Sequence, residues 1–361
     1  RDLVRSRGLG DVYKRQEQVS SELHYNDKNL IEKVIRALSL LEMLVKAGCP
    51  LVFKGGTALM LILGKSAHRL SIDIDLICPP GTNIEDYLKS FADFGFINLE
   101  LVERKQRDDA DIPKSHSKFF YQIAYRNDTD AQSYILLDVL YEDIHYFRTQ
   151  QIAINCPFIR LEGKPLMVTV PSAEDILGDK LTAFAPNTTG IPYYRNGRSC
   201  SMEIAKQLYD VGRLFENVSD LQITKEAFRK IAVVELSYRS FGTDIGQVFN
   251  DIRQTALCIS TRGKAGEGDF DLIQDGIIRV KSFMYKQRYL IDHAIIDAAR
   301  AAYLATLIEK GINEIESYSN NPADIKDMVI RPSLPNKLNK LRSNLPEAYY
   351  YWAKTSELLE A

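Results

Sequence analysis

Two aspartates one residue apart, in the stretch Val52–Cys78, have the types and spacing for metal chemistry. This stretch predicts a strand, a glycine turn, a short helix and a second strand, with Asp73 and Asp75 in the middle of the second strand. Side chains two apart on a strand point to the same face, so both carboxylates project together with Ser71. Two carboxylates directed at one point repel each other unless protons or cations lie between them. The pattern therefore indicates a divalent-metal site.

Gly55, Gly56 and Thr57 lie at the turn between the first strand and the short helix. Glycine lets a backbone approach a ligand closely, and the start of a helix offers unpaired N–H groups and the positive end of its dipole. A triphosphate would suit such a place. The alternative is a tight turn with no ligand, but the S-x-D-x-D sequence that follows favours the phosphate interpretation.

A third aspartate, Asp138, lies within the apolar run Ile135–Leu140. An ionised carboxylate in such a run is costly unless it is paired or binds a metal. Asp138 is thus the partner of an arginine, a residue at the exposed end of its strand, or a third metal ligand. Taken with Asp73 and Asp75, the third interpretation is favoured.

Lys180 lies on the apolar stripe of a predicted helix, where a lysine is unusual. Either its ammonium group reaches the helix edge or it meets an anion in a cleft. In the next predicted helix, Met202–Phe215, Asp210 lies off the apolar face. Lys206 lies four residues before it and Arg213 three after, which is the spacing of a salt-bridged surface acid.

These motifs resemble the AbiEii/AbiGii toxin family, whose members are nucleotidyltransferases of the DNA polymerase β-like superfamily. The resemblance rests on G-G-T followed by R-x-S-x-D-x-D, and on the later stretches E-D-I-L-G-D-K-L-T-A-F and K-Q-L-Y-D. It covers roughly Leu30 to Phe215. The implied fold is α+β: a polymerase β-like core with a small mixed sheet and flanking helices, followed by a helical C-terminal region.

The resemblance also implies roles for individual residues. Asp210 becomes a catalytic residue, although Gln207 stands where the first acid of the family's element is often found. Asp138 joins at a second metal and draws the proton from the acceptor hydroxyl. The implied two-Mg²⁺ ligands are Asp73, Asp75 and Asp138, and the implied nucleotide-binding residues are Gly55, Gly56, Thr57, Arg69, Ser71 and Lys180, the last as the triphosphate contact.

The activity implied is that of a Mg²⁺-dependent nucleotidyltransferase toxin of a toxin–antitoxin or abortive-infection system. It would transfer a nucleotide from an NTP to RNA, at the 3′ end of tRNA, and release pyrophosphate. A cognate antitoxin encoded nearby would be its partner. Two alternatives remain: transfer to a protein or a small molecule, and a catalytically silent module that binds nucleotide or RNA. The presence of three acids and Lys180 argues against the silent module.

The elements that must position these residues are predicted from apolar spacing and turn residues. Residues 1–16 are expected to be a non-native or disordered leader, resembling translated sequencing-adaptor read-through; the alternative is a basic RNA-binding arm. The core is expected over residues 17–165, and a helical region that completes the active-site cleft over 166–361. A basic segment, Arg104–Lys118, is expected to be an exposed loop, with RNA contact by Arg104, Lys105, Arg107, Lys114 and Lys118 as the alternative. Further expected elements are helices Asn29–Lys46, capped by Asn26 or Asp27, and Ile84–Asp93, and strands Leu51–Phe53, Ile97–Glu103, Lys118–Tyr125 and Tyr134–Tyr141.

Composition sets the remaining bounds. The 361 residues are 45% hydrophobic and 26% charged, which is typical of a soluble protein with a large core. Five scattered cysteines without a C-x-x-C pair favour reduced thiols over disulfides or zinc. No apolar run approaches the ~20 residues that span a bilayer, and no signal-peptide pattern occurs, so a cytoplasmic protein is expected. The formal net charge of −2 weighs mildly against a broad nucleic-acid surface.

Overall fold

The computed structural model describes residues 25, 27–101, 114–123, 131–159, 163–218, 220–239, 242, 244–285 and 287–361. Predictions for residues 1–16, Asn26, Arg104, Lys105 and Arg107 fall outside these residues. By internal contacts the chain divides into two compact units. The first runs to Ser172 and includes the later stretch Ser282–Arg288; the second comprises Ala173–Lys281 and Tyr289–Ala361. The predicted boundary between residues 165 and 166 remains a prediction.

The first unit begins with helix α1 (Lys28–Lys46), whose side chains pack on the core. Asp27 starts the helix by accepting a hydrogen bond from the Leu30 amide at 3.0 Å. Gly48, with φ +76°, and Pro50 prevent its continuation. Apolar residues recur every three or four positions, and the structure confirms the amphipathic helix that this spacing predicts. The stripe is fully buried at Ile31, Val34, Leu38 and Leu41.

A five-stranded mixed sheet lies at the centre of the first unit. Its strands are β1 (Val52–Lys54), β2 (Ile74–Cys78), β3 (Asn98–Leu101), β4 (Lys114–Gln122) and β5 (Gln132–Tyr141). They lie in the order β1-β2-β5-β4-β3. Strands β2 and β5 are parallel, and the other neighbours are antiparallel. One face is buried against the core, through residues such as Phe53, Leu76, Phe119 and Leu137. The small mixed sheet predicted from the sequence is therefore confirmed.

Helix α2 (Gly55–Leu63) follows β1 directly, and a hairpin of β6 (Thr149–Ala153) and β7 (Met167–Pro171) ends the unit. Two sequence predictions were wrong here. The helix expected over Ile84–Asp93 is a pair of 3₁₀ turns, Ile84–Tyr87 and Phe91–Phe94, since so short a segment gains little from helix propagation. Residues 114–118 belong to β4, not to an exposed loop.

The second unit is helical, as predicted. Its helices are α3 (Ala173–Ala183), α4 (Ser201–Phe215), α5 (Leu221–Tyr238), α6 (Ile245–Ser260), α7 (Phe270–Val280), α8 (Ile291–Lys310), α9 (Leu341–Asn344) and α10 (Pro346–Glu360), with a two-residue hairpin of β8 (Tyr194–Arg195) and β9 (Arg198–Ser199). Aspartate side chains cap three of the helices by accepting a backbone amide hydrogen bond. They are Asp220, Asp244 and Asp269.

Helix α8 forms the centre of this unit and contacts α4, α6 and α10. Small side chains make this possible, because alanine lets neighbouring helices approach on several sides. Its buried alanines are Ala294, Ala298, Ala299, Ala301, Ala302 and Ala305. Trp352 of α10 is fully buried and donates its indole N–H to Ser260 Oγ at 3.0 Å. Among the described residues, no helix has the length and apolar character needed to cross a membrane.

Candidate active site

The glycine turn between β1 and α2 packs directly on the aspartate motif. Gly55 has φ +76°, and a Cβ placed on it would lie 2.0 Å from Asp75 Oδ2. A Cβ on Gly56 would lie 2.7 Å from Ser71 Oγ and 2.9 Å from Arg69 Nη2. Neither position has room for a side chain. The two motifs selected from the sequence are therefore in contact, and the turn's backbone lies beside a carboxylate.

Thr57 fixes the other half of this contact. Its side chain is fully buried, and Oγ1 donates to the Asp73 backbone carbonyl at 2.7 Å. The first turn of α2 is thereby tied to the segment that leads into β2. Lys54, the residue before the helix, makes no side-chain capping hydrogen bond to that first turn.

Asp73 was predicted to lie in the middle of a strand, and this was wrong. Strand β2 begins at Ile74, so Asp73 precedes it and Asp75 is its second residue. The preceding backbone pairs elsewhere: the Leu70 amide donates to the Phe283 carbonyl at 2.8 Å, and Arg69 forms an isolated bridge with Met284. Phe283 and Met284 thus pair with the backbone three to four residues before Asp73.

Strand register places a row of charged residues across the sheet. Lys54 on β1 pairs with Asp75 on β2, Asp75 with Asp138 on β5, and Asp138 with His116 on β4. Cross-strand partners project to the same face of a sheet. The row lies on the face opposite Leu76 and Leu137, which are buried in the core. Asp75 and Asp138 are therefore neighbours on the face away from the core.

His116 is the contact of Asp138 that sequence reasoning missed. Its Nδ1 lies 2.6 Å from Asp138 Oδ1, and the two side chains are 14% and 34% exposed. The partner is thus a histidine, not the arginine considered from the sequence. It was missed because the sequence assigned His116 to a polar loop and not to a strand. Lys54 was missed too, because β1 was predicted to end at Phe53.

The donor types fit Mg²⁺ only in part. Carboxylate oxygens are its preferred protein ligands, and Mg²⁺ commonly uses one or two carboxylates completed by phosphate oxygens and waters. Asp75 and Asp138 are adjacent in register and partly exposed, which suits that arrangement. Within the described ranges, however, no three His, Cys, Asp or Glu side chains gather as a metal-binding group. The two-metal role of Asp73, Asp75 and Asp138 stays a prediction.

In the second unit, Lys180 of α3 and Asp210 of α4 form a buried ion pair. Their Nζ and Oδ2 atoms lie 3.0 Å apart, and the side chains are 8% and 2% exposed. Lys180 Nζ also donates to Gln207 Oε1 at 2.9 Å. Spacing alone placed Asp210 on the surface, which was wrong, because the side of α4 that carries it is buried as well. Gln207, the departure from the family's element, supports Lys180 through its amide oxygen.

A comparison with family models decides what these motifs are. The family model that matches is the nucleotidyl transferase AbiEii toxin of type IV toxin–antitoxin systems, and it covers residues 38–323. The chain belongs to this family. The resemblance stated from the motifs is confirmed, and with it the coarse activity, that of a nucleotidyltransferase toxin with a cognate antitoxin.

The solved structures that match this AbiEii-family chain are distant from it in sequence. No curated protein matches. The JHP933 structure from Helicobacter pylori shares 17% identity, covering 78% of this chain and 94% of its own, with a TM-score of 0.41. MenT4, a nucleotidyltransferase toxin from Mycobacterium tuberculosis, shares 12% identity, covering 81% and 89%, with a TM-score of 0.43. Membership of the AbiEii family rests on the family model.

The AbiEii-family chain also contains a buried charge cluster that sequence reasoning did not find. Asp297 of α8 lies 3.4 Å from Arg300 and 3.6 Å from Arg213, and accepts a hydrogen bond from Tyr289 Oη at 3.0 Å. Gly212 packs against it: a Cβ there would lie 2.0 Å from Asp297 Oδ1. Burial raises the pKa of Asp297 to about 6, although the two arginines and Tyr289 oppose the shift. The cluster joins α4 and α8 through the contacts of Asp297 with Arg213 and Arg300.

Proposed function

We propose that this toxin transfers a nucleotide from an NTP to a hydroxyl group of RNA, with the 3′ end of tRNA as the acceptor. The acceptor oxygen forms a bond to the α-phosphorus, the bond from that phosphorus to the α,β-bridging oxygen breaks, and pyrophosphate leaves. The observation that carries this proposal is the contact between the Gly55–Gly56 turn and the Asp75 carboxylate, beside Asp138. A phosphate-binding backbone and two acids in one place suit phosphoryl chemistry.

The site residues of the first unit have proposed roles in the reaction. The amides of Gly55, Gly56 and Thr57 bind phosphate oxygens at the start of α2, with the side chains of Ser71 and Arg69 next to the turn. Asp138 accepts the proton of the acceptor hydroxyl, which requires an approach of ~3 Å. His116 holds the Asp138 carboxylate through Oδ1.

Mg²⁺ is the proposed cofactor, held by Asp75 and Asp138 with Asp73. When bound, it supplies Lewis-acid stabilisation of the phosphate oxygens. For Lys180 and Asp210 the roles implied by the family resemblance, triphosphate contact and catalytic acid, remain proposals. The cytoplasm, where NTP and RNA meet, is the proposed site of action, and defence against phage by abortive infection is the proposed setting.

The test is incubation of the purified protein with Mg²⁺, total bacterial RNA and each α-labelled NTP in turn. We expect a labelled band of tRNA size, lost in Asp73→Ala and Asp75→Ala. Asp86→Ala is the matched control, because the Asp86 side chain is 60% exposed and belongs to a 3₁₀ turn, not to the strands of the carboxylate row. Melting temperatures of all three variants show whether the fold is kept.

Three results would overturn the RNA proposal. Label on a protein band would indicate nucleotide transfer to protein, and label on a small molecule would indicate a resistance-type enzyme. Nucleotide binding without any transfer would favour the silent binding module. Full activity of a well-folded Asp73→Ala, Asp75→Ala double variant would exclude the metal-site interpretation.

A further inference from the structure

The sheet face that carries Asp75 and Asp138 continues into a small aromatic and basic surface. In the register of β4 and β5, Asp138 pairs with His116, Leu136 with Lys118, and Tyr134 with Phe120. Residues two apart on a strand share a face, and so do cross-strand partners. Phe120, Tyr134 and Lys118, here called the aromatic–lysine patch, therefore share the face of the carboxylates.

In the patch, two aromatic rings and nearby lysine side chains lie together outside the hydrophobic core. The rings of Phe120 and Tyr134 lie 5.7 Å apart at 56°. Lys118 Nζ lies 5.4 Å from the centre of the Tyr134 ring, and Lys33 Nζ of α1 lies 5.7 Å from it. Tyr134 is 40% exposed, whereas the adjacent Ile135 and Phe119, on the other face, are buried. The sheet thus keeps a large aromatic ring in solvent with two cations around it.

These groups fit single-stranded nucleic acid. An exposed ring stacks on a nucleobase of any sequence, and lysines beside it attract the phosphates. Glu100 opposes this in part, because its carboxylate lies 3.7 Å from Lys118 Nζ and is half exposed. Among the side chains that the structure describes around Tyr134, these are two lysines and one carboxylate, a balance that favours phosphate binding.

The order of the strands distinguishes the acceptor from the incoming nucleotide. The glycine turn follows β1, next to Asp75 on β2, whereas the patch lies on β5, the strand of Asp138, and on β4 beyond it. In an in-line displacement the leaving and attacking oxygens lie on opposite sides of the phosphorus. With the triphosphate at the glycine turn, the acceptor arrives from the side of β5. Asp138 and Tyr134 are four positions apart, about 13 Å along a strand.

We propose that the aromatic–lysine patch binds the unpaired end of the RNA acceptor, with a base stacked on Tyr134 and a phosphate at Lys118. This inference rests on the proposed function, since it takes the reacting hydroxyl to lie at Asp138. It adds the acceptor's structural class: a single strand, because bases stacked within a duplex cannot contact the ring.

The experiment measures binding of the full chain to a fluorescent single-stranded RNA oligonucleotide by anisotropy, and binding of NTP separately. Tyr134→Ala should weaken oligonucleotide binding about tenfold, by loss of one stacking contact, and leave NTP binding unchanged. Tyr134→Phe keeps the ring and should bind like the wild type. Tyr194→Ala, which removes a tyrosine that is 57% exposed on β8, is the matched control and should have no effect.

Charge variants test the phosphate contact. Lys118→Gln should weaken oligonucleotide binding by a factor that shrinks as salt rises. Glu100→Gln should strengthen binding, since it removes the carboxylate next to Lys118. A duplex of the same sequence should not compete. Equal melting temperatures of all variants show that the fold is kept.

The proposal is overturned if the wild type does not bind the oligonucleotide, or if Tyr134→Ala binds it normally. It is also overturned if Tyr134→Ala loses NTP affinity alone, which would assign the patch to the incoming nucleotide. The proposed function fails separately. If the protein binds RNA through Tyr134 but transfers no label, the patch proposal stands and the proposed reaction is wrong. If label is transferred and Tyr134→Ala has no effect on RNA binding, the proposed reaction stands and the patch proposal is wrong.

Discussion

Aspartates occupy opposite environments in the two units of this protein. In the first unit the Asp138 side chain is 34% exposed, on the sheet face away from the core. In the second, Asp210 and Asp297 are 2% and 1% exposed, and each lies against basic side chains of its own unit. A charge that is buried needs such partners to offset its desolvation, whereas a charge in contact with solvent does not.

This difference in exposure distinguishes residues that support the fold from residues that are expected to act in the reaction. The Asp297 cluster consists of groups that compensate one another, so its removal should affect folding. The carboxylates of the first unit are beside a glycine turn and within reach of a ligand, so their removal should affect the reaction. Lys180 tests the distinction, because it is buried like an architectural residue but resembles the family's triphosphate lysine.

The largest effect is expected for Asp75→Asn. Loss of one ligand of a Lewis-acid site costs several kcal/mol of transition-state stabilisation, which corresponds to about 10³-fold in rate. The melting temperature should stay close to that of the wild type. Label transfer and thermal unfolding measure the two quantities. A variant with more than a tenth of wild-type activity would contradict the role of Asp75.

Lys180→Met should lower the free energy of unfolding by about 3–5 kcal/mol, because it removes the ammonium group that pairs with the buried Asp210 carboxylate. Urea unfolding measures this. The double variant Lys180→Met, Asp210→Leu replaces both charges and should recover most of the stability. If the double variant is stable but inactive, the pair takes part in the reaction; if it is active, the pair is architectural.

Gly55→Ala compared with Gly48→Ala separates crowding from backbone strain. Both glycines have φ +76°, but a Cβ at Gly48 meets nothing within 4 Å. Each variant should lose about 1–2 kcal/mol of stability from the left-handed conformation. Only Gly55→Ala displaces the Asp75 carboxylate, and a misplacement of ~1 Å costs about 10²-fold in rate. Equal activity of the two variants would exclude the close contact as a requirement.

The smallest effect is a pH dependence from Asp297. Its pKa rises from an ordinary 3.8 to about 6, chiefly by burial, so the folded protein holds this proton more tightly than the unfolded chain. The resulting stability is complete below about pH 4 and is lost as pH rises through 6. The free energy of unfolding of the wild type, minus that of Asp297→Asn, should therefore fall by at most about 3 kcal/mol between pH 4 and 7. A flat difference would contradict the shift.

The helices were predictable where apolar residues recur at the spacing of a helix. Apolar residues three and four apart predicted α1 and the face of α4 that contains Ile204, Leu208 and Val211, all of which are buried. The first half of β4 was not predicted, because Lys114, Ser115 and His116 read as polar loop residues. They extend a strand because β5 provides a partner for each of them.

The candidate site was predictable as residue types and not as contacts. G-G-T and S-x-D-x-D indicated a nucleotidyltransferase, which the family model confirms; the metal chemistry that they indicated stays a prediction. His116 and Lys54 were missed, because their places beside Asp138 and Asp75 depend on the register of separate strands. The pairing of Leu70 with Phe283 was also unpredictable, since the two residues lie far apart in the sequence.

By itself, the sequence determined most of the local elements, the family, and the set of acidic and glycine residues proposed to carry its chemistry. Those depend on spacing within a few residues, which the chain records directly. The tertiary structure alone decided which acids are exposed, which basic residue each one contacts, and that Tyr134 shares a face with Asp138. These follow from strand register and helix packing, where residues distant in sequence exclude water from one charge and leave another in contact with it.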